Sequence, residues 1–249
     1  YEVPNNLGYS IRCLSDELLN TTIHVPEDFG TIQEALYYAI EGDTIFVSEG
    51  TYYEHDISWD HTVDGIHLIG ENRETTIIDA DNQDRVLSIG GENSVITSNT
   101  IIEGFTIRGG SASSFPGGGA IVLENSSPTL RNLVIENNFA ENGGAIAVHN
   151  NSHLTLENVE IINNSALVSG GGIYVAHNSS LIANRTNISN NQVISNGGGG
   201  GIFCTGDGYG GVNLILDYVT LSENSANATG SCGGAIEFND RDIGMILTN

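Results

Sequence analysis

One motif recurs along most of this chain and restricts the fold more than any other feature. Gly-Gly-Ala-Ile or Gly-Gly-Gly-Ile ends at Ile121, Ile146, Ile173, Ile202 and Ile236, at intervals of 25, 27, 29 and 34 residues. A second register runs from Ile135 to Asn138, Ile161 to Asn164, Ile188 to Asn191 and Leu221 to Asn224. A third centres on Leu130, Leu154, Leu181 and Leu214. Each period therefore holds three short apolar stretches that alternate with period two, are rich in β-branched residues and are set off by Gly or Asn turns. That is the signature of strands; helices need longer unbroken runs. Three strands in a period of this length make one coil of a parallel β-helix. A single coil cannot bury its inner face, but coils stacked at about 4.8 Å pair their backbones and enclose a common core.

The turn residues fit that stack. Asn tolerates left-handed backbone and can pass hydrogen bonds to the next Asn along the pile. Gly before the first strand implies either positive φ or no room for a Cβ. The uneven intervals place the insertions in one turn region, chiefly 193–201 and 205–212. If Ile121, Ile146, Ile173, Ile202 and Ile236 point inward, so do Leu123, Val148, Val175, Cys204 and Phe238 two residues on. The rows between them are then outward: Val122, Ala147, Tyr174, Phe203 and Glu237, and beside them Glu124, His149, Ala176, Thr205 and Asn239.

The first part of the chain differs. Residues 23–57 read as strand, amphipathic helix, strand, with the helix at about 31–41. Thr31 with Glu34 forms a capping-box pattern, Ile32, Ala35, Leu36 and Ala39 make one apolar stripe, and Gly42 ends it. A helix there would seal the open end of the core. This divides the chain into an extension (1–22), a cap (23–57) and coils (58–249). Val25-Pro26, Thr31-Ile32-Gln33-Glu34-Ala35, Gly42-Asp43-Thr44-Ile45 and Gly50-Thr51-Tyr52 together resemble the N-terminal cap of right-handed β-helix proteins of the pectin-lyase-like superfamily. The Gly-Gly-Ala-Ile and Asn-Asn coils are similar to repeats of bacterial polymorphic outer-membrane proteins and related secreted adhesins. The resemblance covers about residues 23–247 and implies an all-β, right-handed parallel β-helix with an N-terminal capping helix.

Composition narrows the partners. The chain has 31 acidic residues against seven basic ones, all Arg, and a formal charge of -24. Such a charge repels phosphate backbones and argues against nucleic acid. No apolar run reaches the roughly 18 residues of a transmembrane helix, so membrane insertion is not expected. Three cysteines, Cys13, Cys204 and Cys232, are too few and too odd in number for a disulfide framework, and the inward parity of Cys204 makes it a buried thiol. Eight N-x-S/T sequons occur, as a chain this rich in Asn, Ser and Thr produces by chance; in a eukaryotic secreted protein they would accept glycans.

Candidate chemistry is sparse. Enzymes of the superfamily work on an outward strand face, with acids or Ca²⁺ to neutralise uronate and a base nearby. Here Glu124 and His149 fall on adjacent coils, an acid beside a possible base. Tyr174 and Phe203 would stack as a platform for a sugar ring, next to Glu237. Asp79, Asp81 and Asp84 put three acids in six residues, a possible Ca²⁺ site, although the EF-hand pattern fails at Asp84 and Gly90. The paired-Asp pattern of polygalacturonases and the Gln/Asp/Arg pattern of pectinesterases are missing, and Arg131 and Arg185 lie on another side of the coil from Glu124.

Three roles remain open on sequence alone. The first is a secreted or cell-surface β-helix that binds polysaccharide or a host or cell-surface glycan. The second is a lyase, hydrolase or epimerase acting on acidic polysaccharide. The third is a structural spacer in a larger surface protein. No segment after Met245–Leu247 reads as a cap, so further domains of the same polypeptide are expected beyond residue 249.

Overall fold

The computed structural model describes residues 21–59, 62–113, 115–195, 197–206, 211–227, 233–239 and 243–248. Its strands are short, and every pairing runs parallel between successive coils. The first sheet has nine strands, from Thr22–Val25 through Thr129–Arg131, His153–Glu157, Ser180–Asn184 and Val212–Asp217 to Ile243–Thr248. The second has seven, from Gly50–Tyr52 to Thr220–Ser222. A shorter third sheet of five strands begins at Ser111–Ala112 and fills the corner before the fourth. The fourth sheet has seven strands and carries the Gly-Gly-Ala-Ile motif: Leu87–Gly90, Ile121–Glu124, Ile146–His149, Ile173–Ala176 and Ile202–Thr205 are among them. The expected three-strand coil is present, and the third sheet adds a short strand to the later coils.

The register makes the core. Leu87, Ile121, Ile146, Ile173 and Ile202 lie level with one another on the fourth sheet, and Ile89, Leu123, Val148, Val175 and Cys204 form the next level. Opposite them, Leu68, Ile102, Leu130, Leu156 and Ala183 line the first sheet. All belong to one continuous buried cluster. Each inward side chain thus rests on the equivalent one above and below, which is why similar residues recur at each level.

The Asn pairs do two jobs. The first member sits at a left-handed corner, with φ of 55° at Asn137, 57° at Asn163 and 56° at Asn190. The second points inward and builds a ladder. Nδ2 of Asn138 donates to Oδ1 of Asn164, Asn164 to Asn191, and Asn191 to Asn224, each at 3.0 Å. The same Oδ1 atoms accept the backbone N–H of the preceding Asn, also at 3.0 Å. Burying these amides costs little because their donors and acceptors are used.

The glycines divide in the same way. Gly143 has φ of 62°, whereas at Gly144 the constraint is space: a Cβ there would sit 2.2 Å from the carbonyl oxygen of Gly171. At the N-terminal end, the helix spans Ile32–Tyr38 and buries Ile32, Ala35 and Leu36. Thr31 caps it by accepting the N–H of Glu34. The remaining first-turn donors go to Glu54, whose carboxylate accepts from Ile32 and Gln33 at 2.8 and 3.0 Å.

Candidate functional site

The outward rows of the fourth sheet behave differently from simple alternation. Tyr174 and Phe203 do stack, with centroids 5.9 Å apart and planes 5° off parallel. They are only 6% and 7% exposed, however, and join Val122, Ala147 and Ala176 in a second apolar cluster. The expected open platform is corrected on this point. The left-handed glycine turns fold back against this row, so that a Cβ on Gly170 would meet Tyr174 N at 3.0 Å and one on Gly199 would meet Phe203 Cβ at 2.7 Å. Glu237 is half-buried at the end of the row and accepts the N–H of Gly233 at 3.0 Å. An apolar row on both sides of a strand is the mark of two-sided burial, and the sequence carried it.

The second outward row ends at a more open corner. Glu124 and His149 are register partners on adjacent coils, as the alternation requires. Glu124 is half-buried and accepts from Nδ2 of Asn150 at 3.0 Å. His149 is 2% exposed, and neither ring nitrogen finds a hydrogen-bond partner among the described residues. Burial lowers its pKa below the usual histidine value, opposed by the nearby Glu124 carboxylate. The ring is therefore neutral near pH 7.

Beyond this pair the chain turns from the fourth sheet to the first, and the turn residues open a cleft of about 470 Å³ lined by Asn125, Asn150, Asn151 and His177. All four take left-handed φ, between 48° and 59°. The amides are chained along the stack, Asn178 to Asn151 at 2.9 Å and Asn151 to Asn125 at 3.3 Å. Phe115, 59% exposed, stands beside the cleft with its ring 6.4 Å from His177 and 6.0 Å from His149. The corner thus sets an exposed aromatic face against a wall of amides and an imidazole. Sequence reasoning missed Phe115 and His177. His177 was the readable one, since it occupies the level at which the preceding coils carry Asn125 and Asn150.

A family model described as the right-handed β-helix region matches residues 45–226. The chain belongs to the right-handed β-helix family. No curated protein and no solved structure matches it.

Two of the remaining candidate acids of this right-handed β-helix, Asp79 and Asp84, are engaged through their carboxylates. Asp79 pairs with Arg108 at 2.7 Å and also accepts the N–H of Asp81, while Asp84 accepts the N–H of Arg85 at 2.7 Å. Among the described residues no three His, Cys, Asp or Glu side chains converge on a point that could hold a metal ion, and Asp79, Asp81 and Asp84, the possible Ca²⁺ ligands, lie in a turn held by the contacts above. Cys204 is a fully buried thiol, pushed up to about 12 by burial. Cys13 and Cys232 lie outside the described residues. No described helix is long and apolar enough to cross a membrane.

Proposed function

We propose that this β-helix is a secreted or cell-surface protein that binds carbohydrate at the corner cleft of Asn125, Asn150, Asn151 and His177, with Phe115 as its stacking residue. The observation that carries the reading is the cleft's chemistry. Planar side-chain amides and an imidazole match pairs of sugar hydroxyls, and an exposed aromatic ring beside them can cover the apolar face of a pyranose. The cap motifs and repeat units support placing the chain with the pectin-lyase-like superfamily and beside polymorphic outer-membrane protein repeats, which fits an extracellular setting. Natural candidates for the ligand are polysaccharides and host or cell-surface glycans. A second reading, cleavage of an acidic polysaccharide, draws support from the neutral His149 next to Glu124.

The test is a panel of immobilised glycans and soluble polyuronates, read for binding and for released product, with and without Ca²⁺. Binding that Phe115→Ala or His177→Ala weakens by about fivefold, with no product, supports the proposal; the loss of one aromatic or hydrogen-bonding contact is worth about 1 kcal/mol. Product release abolished by Glu124→Gln would favour the enzyme. Binding that both cleft variants leave intact would overturn the proposed site.

A further inference from the structure

The corner between the first and second sheets carries a second ladder of left-handed residues. Its levels are Gly104, Asn132, Asn158, Arg185 and Tyr218, with φ of 81°, 50°, 56°, 48° and 51°. The lower levels use the residues that tolerate this backbone, and the amides link, Asn158 Nδ2 donating to Asn132 Oδ1 at 3.2 Å. At the last two described levels Arg and Tyr stand instead. Left-handed backbone costs a residue with a bulky side chain on the order of 1 kcal/mol. The stack enforces it through coil-to-coil hydrogen bonds, from Arg185 N to Asp217 O at 3.0 Å and from Tyr218 N to Thr248 O at 3.3 Å. The exchange sets an Arg and a Tyr at successive levels of the corner, about one coil spacing apart along the backbone, where both line one cleft.

Both side chains are exposed, Tyr218 by 64%. Arg73, Arg108 and Arg131 are each committed to an ion pair, with Glu160, Asp79 and Glu103. Arg85 is half-buried and lies near Asp84 and Asp56. Arg185 has no ion pair among the described residues, in a chain of net charge -24. Two adjoining clefts share it: one of about 400 Å³ with Asn187, Tyr218 and Thr220, the other of about 350 Å³ with Asn158 and Asn184.

We propose that Arg185 and Tyr218 form a binding site for a sugar ring bearing a carboxylate. The guanidinium takes the carboxylate through two parallel hydrogen bonds, the phenol ring covers the apolar face of the sugar, and the flanking amides and Thr220 reach its hydroxyls. Glu157 and Asp217 border the same corner, so affinity for the acid rests on direct contact with Arg185 rather than on the general field. This site is separate from the Phe115 cleft and stands or falls without it.

Arg185→Asn and Tyr218→Asn restore the ladder residue, so both variants should fold with a melting temperature at or above that of the parent. Binding of the full 249-residue chain is measured by calorimetry with three probes: a galacturonate oligomer, sialyllactose and the neutral galactose oligomer. The parent is expected to bind at least one acidic probe and to prefer it to the neutral one. Arg185→Asn should weaken that binding about ten- to a hundredfold, the worth of a charge-assisted hydrogen bond or two. Tyr218→Asn should weaken it by about tenfold. The acidic probe that binds identifies the source of the carboxylate. Failure of the parent to bind either acidic probe, or parental affinity in Arg185→Asn, would overturn the proposal.

Discussion

Removing one rung of the inward Asn ladder should cost more than removing a core methyl group, and the structure sets the size. Asn164 is fully buried. Its Oδ1 accepts from the backbone N and from Nδ2 of Asn138, both at 3.0 Å. Its Nδ2 donates to the carbonyls of Ile135 and Ile162 at 2.9 and 3.0 Å and to Asn191 Oδ1 at 3.0 Å. Asn164→Ala strands the N–H of Asn138, itself only 2% exposed, for about 1–3 kcal/mol, and forfeits further bonds at about 1 kcal/mol each. The total is about 3–5 kcal/mol, or roughly 10 °C in melting temperature for a chain of this size. Asn164→Asp should be worse at neutral pH, because an oxygen then faces three oxygens. That apposition and burial raise the new carboxyl's pKa in the folded state, so its deficit should grow as the pH rises above the unfolded value of about 4 and shrink as it falls. Thermal melts followed by circular dichroism at pH 4 and pH 7 measure both variants. A loss below about 1 kcal/mol for Asn164→Ala would refute the view that these amides are structural partners rather than incidental neighbours.

Other outcomes follow from the same contacts. Gly144→Val drives a side chain into the carbonyl oxygens of Gly171 and Ser165 and should destabilise by about 3 kcal/mol or more in denaturant titration. His149 is held neutral with a lowered folded-state pKa, so the stability it contributes is full above the unfolded value of about 6.5 and is lost as the pH falls below it toward the folded value. Relative to the parent, His149→Phe should therefore gain up to about 1 kcal/mol on going from pH 7.5 to pH 5.5, and a difference independent of pH would contradict the burial argument. Cys204 should resist alkylation in the native protein and react only on unfolding, as peptide mapping by mass can show.

The fold was readable because each coil repeats the physical problem of the one before it. The levels at Ile121, Ile146, Ile173 and Ile202, the Asn corners and the capping helix all follow from local rules applied at a fixed period. The candidate site was harder. Alternation correctly set Glu124 beside His149 and Tyr174 beside Phe203, since it fixes which side of a strand a residue takes. It does not say whether that side meets water. Here that side is closed: Tyr174 and Phe203 pack with Val122, Ala147 and Ala176, and the glycine turns run close against the row. Phe115 was invisible for another reason: it sits in an irregular segment between strands, where no period places it. Arg185 and Tyr218 were legible in principle as departures from Asn at a repeating corner, but only once the corner's register is known.

The most direct test of the proposed carbohydrate cleft is hydroxyl-radical footprinting of the chain with and without the tightest-binding neutral glycan from the panel. The account predicts protection at Phe115 and His177, around the amide-lined cleft, with Tyr174 and Phe203 already protected in the free protein. Protection confined to any other face, or Tyr174 and Phe203 reactive in the free protein and covered by ligand, would contradict it.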